Sequence, residues 1–198
     1  MPRTLVIATH NRKKLEEMRA ILAGLPLEMK SLDDFGCIPP VQETGDTFAA
    51  NASQKALGYA RATGQWALAD DSGLEVDALG GKPGVRSSRW GGRDGDDALN
   101  NETLLQSLAD QPRPSWTARY RCVMALATPA LVLAVTEGVC EGRITDRPAG
   151  TNGFGYDPYF YLPEYGLTMA QIPPEEKNRI SHRARALVAM ERVLEKLL

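Results

Sequence analysis

The sequence predicts an α/β protein built on a mixed β-sheet. Apolar, β-branched runs alternate with helical repeats through the first half of the chain, and strand-like runs cluster as a meander in the second half. The third observation is size and composition. The 198 residues, 43% hydrophobic and 24% charged, suit one domain, or a two-lobed one, that buries a core without disulfide or metal support.

The elements follow in chain order. Residues 4–8, Thr-Leu-Val-Ile-Ala, form a short apolar strand, after which Leu15, Met18, Ile21 and Leu22 recur at helical spacing. Residues 47–63 are rich in alanine, with Phe48, Ala52, Ala56, Tyr59 and Ala60 on one helical face and Gly64 just past the end. Residues 66–69 make a small strand that runs into Asp70-Asp71-Ser72-Gly73, and residues 74–79 resume as a strand. The dense Gly and Pro of residues 80–84 mark a loop. Residues 97–108 carry Leu99, Leu104, Leu105 and Leu108 at helical spacing, before the linker-like Gln111-Pro-Arg-Pro114. Residues 118–127 and 130–139 read as two strands turning at Thr128-Pro129, the second with a helical alternative in its Leu and Ala content, and residues 142–145 as a third. A glycine-rich loop over residues 150–157 follows. Residues 181–198 form a C-terminal helix capped by Ser181.

Composition also excludes several classes. The net charge of −2 has the wrong sign for a protein that tracks a nucleic-acid polymer through many phosphate contacts. Three widely spaced cysteines, Cys37, Cys122 and Cys140, without a CxxC, suggest neither a disulfide framework nor a zinc site and suit a reducing cytoplasm. The longest apolar stretch, residues 122–135, is about 14 residues, short of the ~20 that a membrane helix needs. No secretory leader is expected from the few apolar residues that follow Met1-Pro2-Arg3-Thr4, so the expected location is cytoplasmic.

Four clusters carry candidate chemistry. The first, Thr9-His10-Asn11-Arg12-Lys13-Lys14, lies at a strand-to-helix junction. Thr9 or Asn11 can cap the helix, while three cations in its first turn oppose the positive end of the helix dipole. An anion would reverse that cost, so these residues make a phosphate cradle; the alternative is a solvated basic helix end offset by Glu16 and Glu17. Neither a GxxxxGK loop nor a GxGxxG fingerprint is present. The second, Asp70-Asp71-Ser72-Gly73, leaves an apolar strand where α/β proteins place ligands. Adjacent carboxylates there repel unless a cation sits between them, and hard oxygens suit Mg²⁺ that also binds phosphates; the alternative is an ordinary acidic turn. Glu43 is a possible third carboxylate.

The third cluster, Gly153-Phe154-Gly155-Tyr156-Asp157, combines close backbone approach, an aromatic ring for stacking on a base, and a carboxylate for a base edge; a tight turn around one buried aromatic is the alternative. The fourth, Ser181-His182-Arg183 with Lys177 before it, again puts cationic donors at a helix start.

Together these clusters ask for one ligand with phosphates, a metal and a planar base. In that combination the chain resembles the inosine/xanthosine triphosphate pyrophosphatases, which hydrolyse deaminated purine nucleoside triphosphates to the monophosphate and pyrophosphate. The resemblance covers nearly the whole chain. It rests on Thr9-x-Asn11-x-x-Lys14, Glu43-Thr-Gly45, Asn51-Ala52 with Lys55-Ala56, Ala69-Asp-Asp-Ser-Gly-Leu74, Gly80-Gly-x-Pro-Gly84 with Ser87-x-Arg89, Phe154-Gly-Tyr-Asp157 and Ser181-His-Arg183, all in family order.

The resemblance implies a single domain over residues 1–198, a long mixed sheet flanked by helices, with two lobes around a central cleft, assembled as a homodimer. It implies that Thr9, Asn11 and Lys14 hold the triphosphate with help from Ser72. Asp71 would be the catalytic carboxylate that takes a proton from water, with Glu43 and Asp71 holding Mg²⁺. Asp70 could share either role. Phe154 would stack on the purine, and Asp157, Lys177, His182 and Arg183 would surround its edge. The remaining candidate substrate-binding residues are His10, Arg12, Lys13, Gly155 and Tyr156. Donors from His182 and Arg183 would pair with the 6-oxygen of hypoxanthine or xanthine and would face another donor in adenine. Three positions depart from the family pattern: His10 stands where glycine is usual, Gln42 where a second glutamate is common, and Ser88 where alanine is usual.

Overall fold

The computed structural model describes residues 2–9 and 11–198, with Lys13 described in its backbone only. The expectations for His10 and for the Lys13 side chain lie outside the described residues.

The strands are β1 (Arg3–Ile7), β2 (Leu27–Ser31), β3 (Trp66–Val76), β4 (Thr117–Ala127), β5 (Val132–Ile144), β6 (Phe160–Leu162) and β7 (Leu167–Thr168). The helices are α1 (Arg12–Leu22), α2 (Phe48–Thr63), α3 (Asp97–Leu108), α4 (Pro174–Ile180) and α5 (His182–Leu197). Among the described residues the strands form an open seven-stranded sheet in the order β2-β1-β3-β4-β5-β6-β7. It is mixed, as expected: β1 is parallel to β2 and β3, whereas β6 is antiparallel to β5 and β7.

Several elements are longer or more numerous than the sequence suggests. β3 runs unbroken from Trp66 through the acidic pair to Val76, because sheet pairing overrides the turn preference of Asp, Ser and Gly. β5 likewise absorbs the two strands expected over residues 130–139 and 142–145. β2 and α4 are additional elements. β2 alternates Leu27 and Met29 with polar residues and pairs with β1 from Arg3↔Leu27 to Ile7↔Ser31. α5 starts at His182, with Ser181 in extended backbone between it and α4.

The chain divides into two compact units. The first comprises residues 1–71, 122–138 and 183–198, and the second residues 72–121 and 139–182, so the division falls within β3, β4 and β5. The core of the first packs Leu5, Ile7 and Leu68 with Met18 and Leu22 of α1 and Leu187, Met190 and Leu194 of α5. The core of the second packs Leu74, Leu104, Leu108, Trp116, Tyr120, Phe160 and Met169. No described helix is long and apolar enough to cross a membrane.

Candidate active site

In the first unit the site begins where β1 ends. The Thr9 hydroxyl accepts from the Asn11 N–H at 3.1 Å, and the Asn11 side chain caps α1 by accepting from the Lys14 N–H at 3.2 Å. Asn11 is thus the cap, and the first turn holds no acidic residue to offset the helix dipole. Arg12 points to solvent, 3.3 Å from Glu16, as an exposed pair one turn apart.

The acidic pair on β3 splits. Successive residues on a strand face opposite sides, and the two carboxylates accordingly have different partners. Asp70, 2% exposed, accepts from the Lys14 ammonium at 2.8 Å and lies 3.8 Å from the Arg183 Nε. Arg183 also donates to Glu17 of α1. Burial alone would raise the Asp70 pKa, but Lys14, Arg183 and Lys55 outweigh it and hold the carboxyl well below the usual range. The two carboxylates thus have different nearest partners, and Lys55 acts on both.

Asp71 accepts from the Asn51 amide at 3.0 Å and lies 3.9 Å from the Lys55 ammonium, which in turn is 3.2 Å from Glu43. Its pKa is raised, chiefly by burial, against the opposing effects of Lys55 and the Asn51 hydrogen bond. Burial would lower Lys55, but Asp70, Asp71 and Glu43 raise it overall. Asn51 and Lys55, which the sequence offers as part of the family motif without a role of their own, therefore belong to this cluster. Their signal was spacing: two polar residues at i and i+4 beside the buried Ala52 and Ala56.

α2 also fixes the loop that presents Glu43. Thr47 caps the helix by accepting from the Ala50 N–H at 3.1 Å. The Gly45 N–H donates to the Asn51 Oδ1 at 2.8 Å, and the Thr44 N–H to the Gln54 Oε1 at 3.2 Å. A Cβ on Gly45 would stand 2.6 Å from the Ala50 Cβ, so only glycine lets the loop lie this close to the helix. Among the described residues no group of three or more His, Cys, Asp or Glu side chains forms a metal cluster. The donor set of Glu43 and Asp71 nevertheless fits Mg²⁺, which takes one or two carboxylates and completes its shell with phosphate oxygens and water. The Lys55 ammonium already bridges these two carboxylates, so the pair accommodates positive charge.

The second unit holds the aromatic loop. The Asp157 carboxylate, buried, accepts from the Lys177 ammonium at 2.8 Å and from the Phe154 N–H at 2.9 Å. Lys177, 7% exposed on α4, also lies 5.1 Å from the Phe154 ring centroid. A Cβ on Gly153 would stand 2.0 Å from the Asp157 Oδ2, so a side chain there would break the pair. Tyr156 is buried in the core with its hydroxyl donating to the Ser87 carbonyl at 2.8 Å. The His182 ring stacks on Tyr120, with centroids 4.8 Å apart. Ser72 and Gly155 also belong to this unit, and Gly155 is bound to α3.

The structure thus gathers Thr9, Asn11, Lys14, Glu43, Asp70, Asp71 and Arg183 in one unit, and Ser72, Phe154, Gly155, Tyr156, Asp157, Lys177 and His182 in the other. Arg183, though adjacent to His182 in sequence, is directed at Asp70 and Glu17 of the first unit.

Comparisons with known proteins agree with one another. The chain is 50% identical over 193 residues to a dITP/XTP pyrophosphatase of Geobacillus kaustophilus, covering 98% of this chain and 95% of that protein. It is 50% identical over 187 residues to the dITP/XTP pyrophosphatase of Geobacter sulfurreducens, covering 94% of each. The structure of a HAM1 protein from Coxiella burnetii superposes with a TM-score of 0.89 at 42% identity, covering 98% of this chain and 99% of that one. The model of the Ham1 family matches residues 5–193. The chain belongs to the Ham1 family.

Proposed function

We propose that the protein is a nucleoside triphosphate pyrophosphohydrolase that cleaves ITP, dITP and XTP to the monophosphate and pyrophosphate, removing deaminated purines from the nucleotide pool. The single observation that carries this reading is the placement of the neighbouring carboxylates on different partners, Asp70 on Lys14 and Arg183, and Asp71 on Asn51 beside Lys55. The names of the relatives support the same substrate class.

Asp71 is the general base. It takes a proton from the attacking water, whose oxygen bonds to phosphorus as the bond to the leaving pyrophosphate oxygen breaks. A carboxyl whose burial favours the protonated form accepts that proton more readily than Asp70, which Lys14 and Arg183 keep charged. Thr9, Asn11 and Lys14 hold the triphosphate, with His10, Lys13 and Ser72 alongside and Arg12 as a peripheral charge. Lys14 and Lys55 neutralise charge that develops on the phosphate oxygens. Glu43 and Asp71 would hold Mg²⁺, which would supply polarisation of the phosphate oxygens.

Phe154, presented by the loop of Gly155 and Tyr156, stacks on the purine. Asp157, Lys177 and His182 read its edge, while Arg183 holds Asp70 and Glu17 of the first unit. Donors at the 6-position accept hypoxanthine and xanthine and leave adenine's amino group facing another donor. The whole chain, residues 1–198, acts as one catalytic domain, and we assign it to the cytoplasm, in keeping with its three widely spaced cysteines and the lack of a CxxC. We assign it a homodimeric assembly, as the family resemblance implies. The negative net charge favours a free nucleotide over a nucleic-acid polymer. Chromatography of the products tests the reaction: IMP and pyrophosphate in equal amounts are expected, and accumulation of IDP with inorganic phosphate contradicts it.

A further inference from the structure

The loop that carries Phe154 is tied to α3 at both polar groups of a single residue. The Gly155 N–H donates to the Asp97 carboxylate at 2.7 Å, and the Gly155 carbonyl accepts from the Asn101 Nδ2 at 2.9 Å. The same Nδ2 donates to the Asp97 backbone carbonyl at 2.8 Å. Both of its partners are carbonyls, which only accept, so the amide orientation is fixed. Asn101 is 7% exposed, and its Oδ1 is buried without a hydrogen-bond partner among the described residues. An apolar side chain of similar size would avoid that cost, so filling space does not account for asparagine here.

We propose that Asn101, together with Asp97, is a positioning residue for base recognition: the two clamp the Gly155 backbone and so fix the Phe154 ring against the purine. The proposal rests on the base-stacking role given to Phe154 above. The neighbouring bonds restrict the loop further, since Phe154 N–H is held by Asp157 and the Tyr156 hydroxyl by the Ser87 carbonyl. With both sides of Phe154 anchored, the ring is placed before the base arrives, and affinity gains from pre-organisation.

Steady-state kinetics with ITP test this in Asn101→Leu, Asp97→Ala, Phe154→Leu and the Asn101→Leu/Phe154→Leu double variant. Asp97 is exposed, so its replacement gives a second variant should Asn101→Leu fold poorly. Asn101→Leu is expected to raise KM about tenfold, and Asp97→Ala by a smaller factor, with kcat changed less than about twofold. In the Phe154→Leu background, Asn101→Leu is expected to add no further rise. An unchanged KM in the single variants, or a full additive rise in the double variant, overturns the clamp. Absence of wild-type pyrophosphate release from ITP overturns the proposed function and the clamp with it.

Discussion

At the scale of single residues, Asp70 and Asp71 differ in their surroundings rather than in chemistry. One peptide step along β3 turns the carboxylate from Lys14 and Arg183 to Asn51 and Lys55. Asp71→Asn is expected to cut kcat by about 10²-fold or more, the contribution of a positioned general base, with the thermal midpoint nearly unchanged. Asp70→Asn is expected to act differently. It leaves the buried Arg183 and the half-buried Lys14 without their shared carboxylate, at a cost of about 3 kcal/mol, measurable by urea denaturation. The acidic pair was legible in the sequence, but its division of labour was not. That division follows from strand alternation inside a stretch that local preference reads as a turn. Asn51 and Lys55 stand out as polar residues one turn apart on α2, but their contacts to residues 43 and 71 are made by the fold and could not be read from that spacing.

At the scale of elements, α2 organises the carboxylate cluster. Its limits were legible because Thr47 and Gly64 are local signals, a side-chain cap and a left-handed C-terminal glycine. β2 and α4 were not, since β2 has five residues with only two alternating apolar side chains and α4 has seven residues opening on Pro174. Thr47→Ala is expected to lower stability by about 1 kcal/mol in thermal or urea unfolding. Gly45→Ala is expected to displace the loop that presents Glu43, because the new methyl would overlap Ala50. Its activity should fall about tenfold, read as kcat, with a smaller change in unfolding midpoint.

At the scale of the whole molecule, the sheet carries the fold while each unit has its own core. Mixed α/β architecture was evident from the alternation of apolar runs and helical repeats. The division within β3, β4 and β5 was not, because a long strand shows no composition break where packing partners change. The proposed function requires that the α1 start and the carboxylate pair of the first unit and the aromatic loop of the second serve one purine nucleoside triphosphate. Initial rates of pyrophosphate release from ITP, XTP, dITP, GTP and ATP, each with and without Mg²⁺, test it most directly. Mg²⁺-dependent turnover of ITP, XTP and dITP well above that of GTP and ATP is expected. Equal turnover of ATP, or no turnover of any of the five, would contradict it.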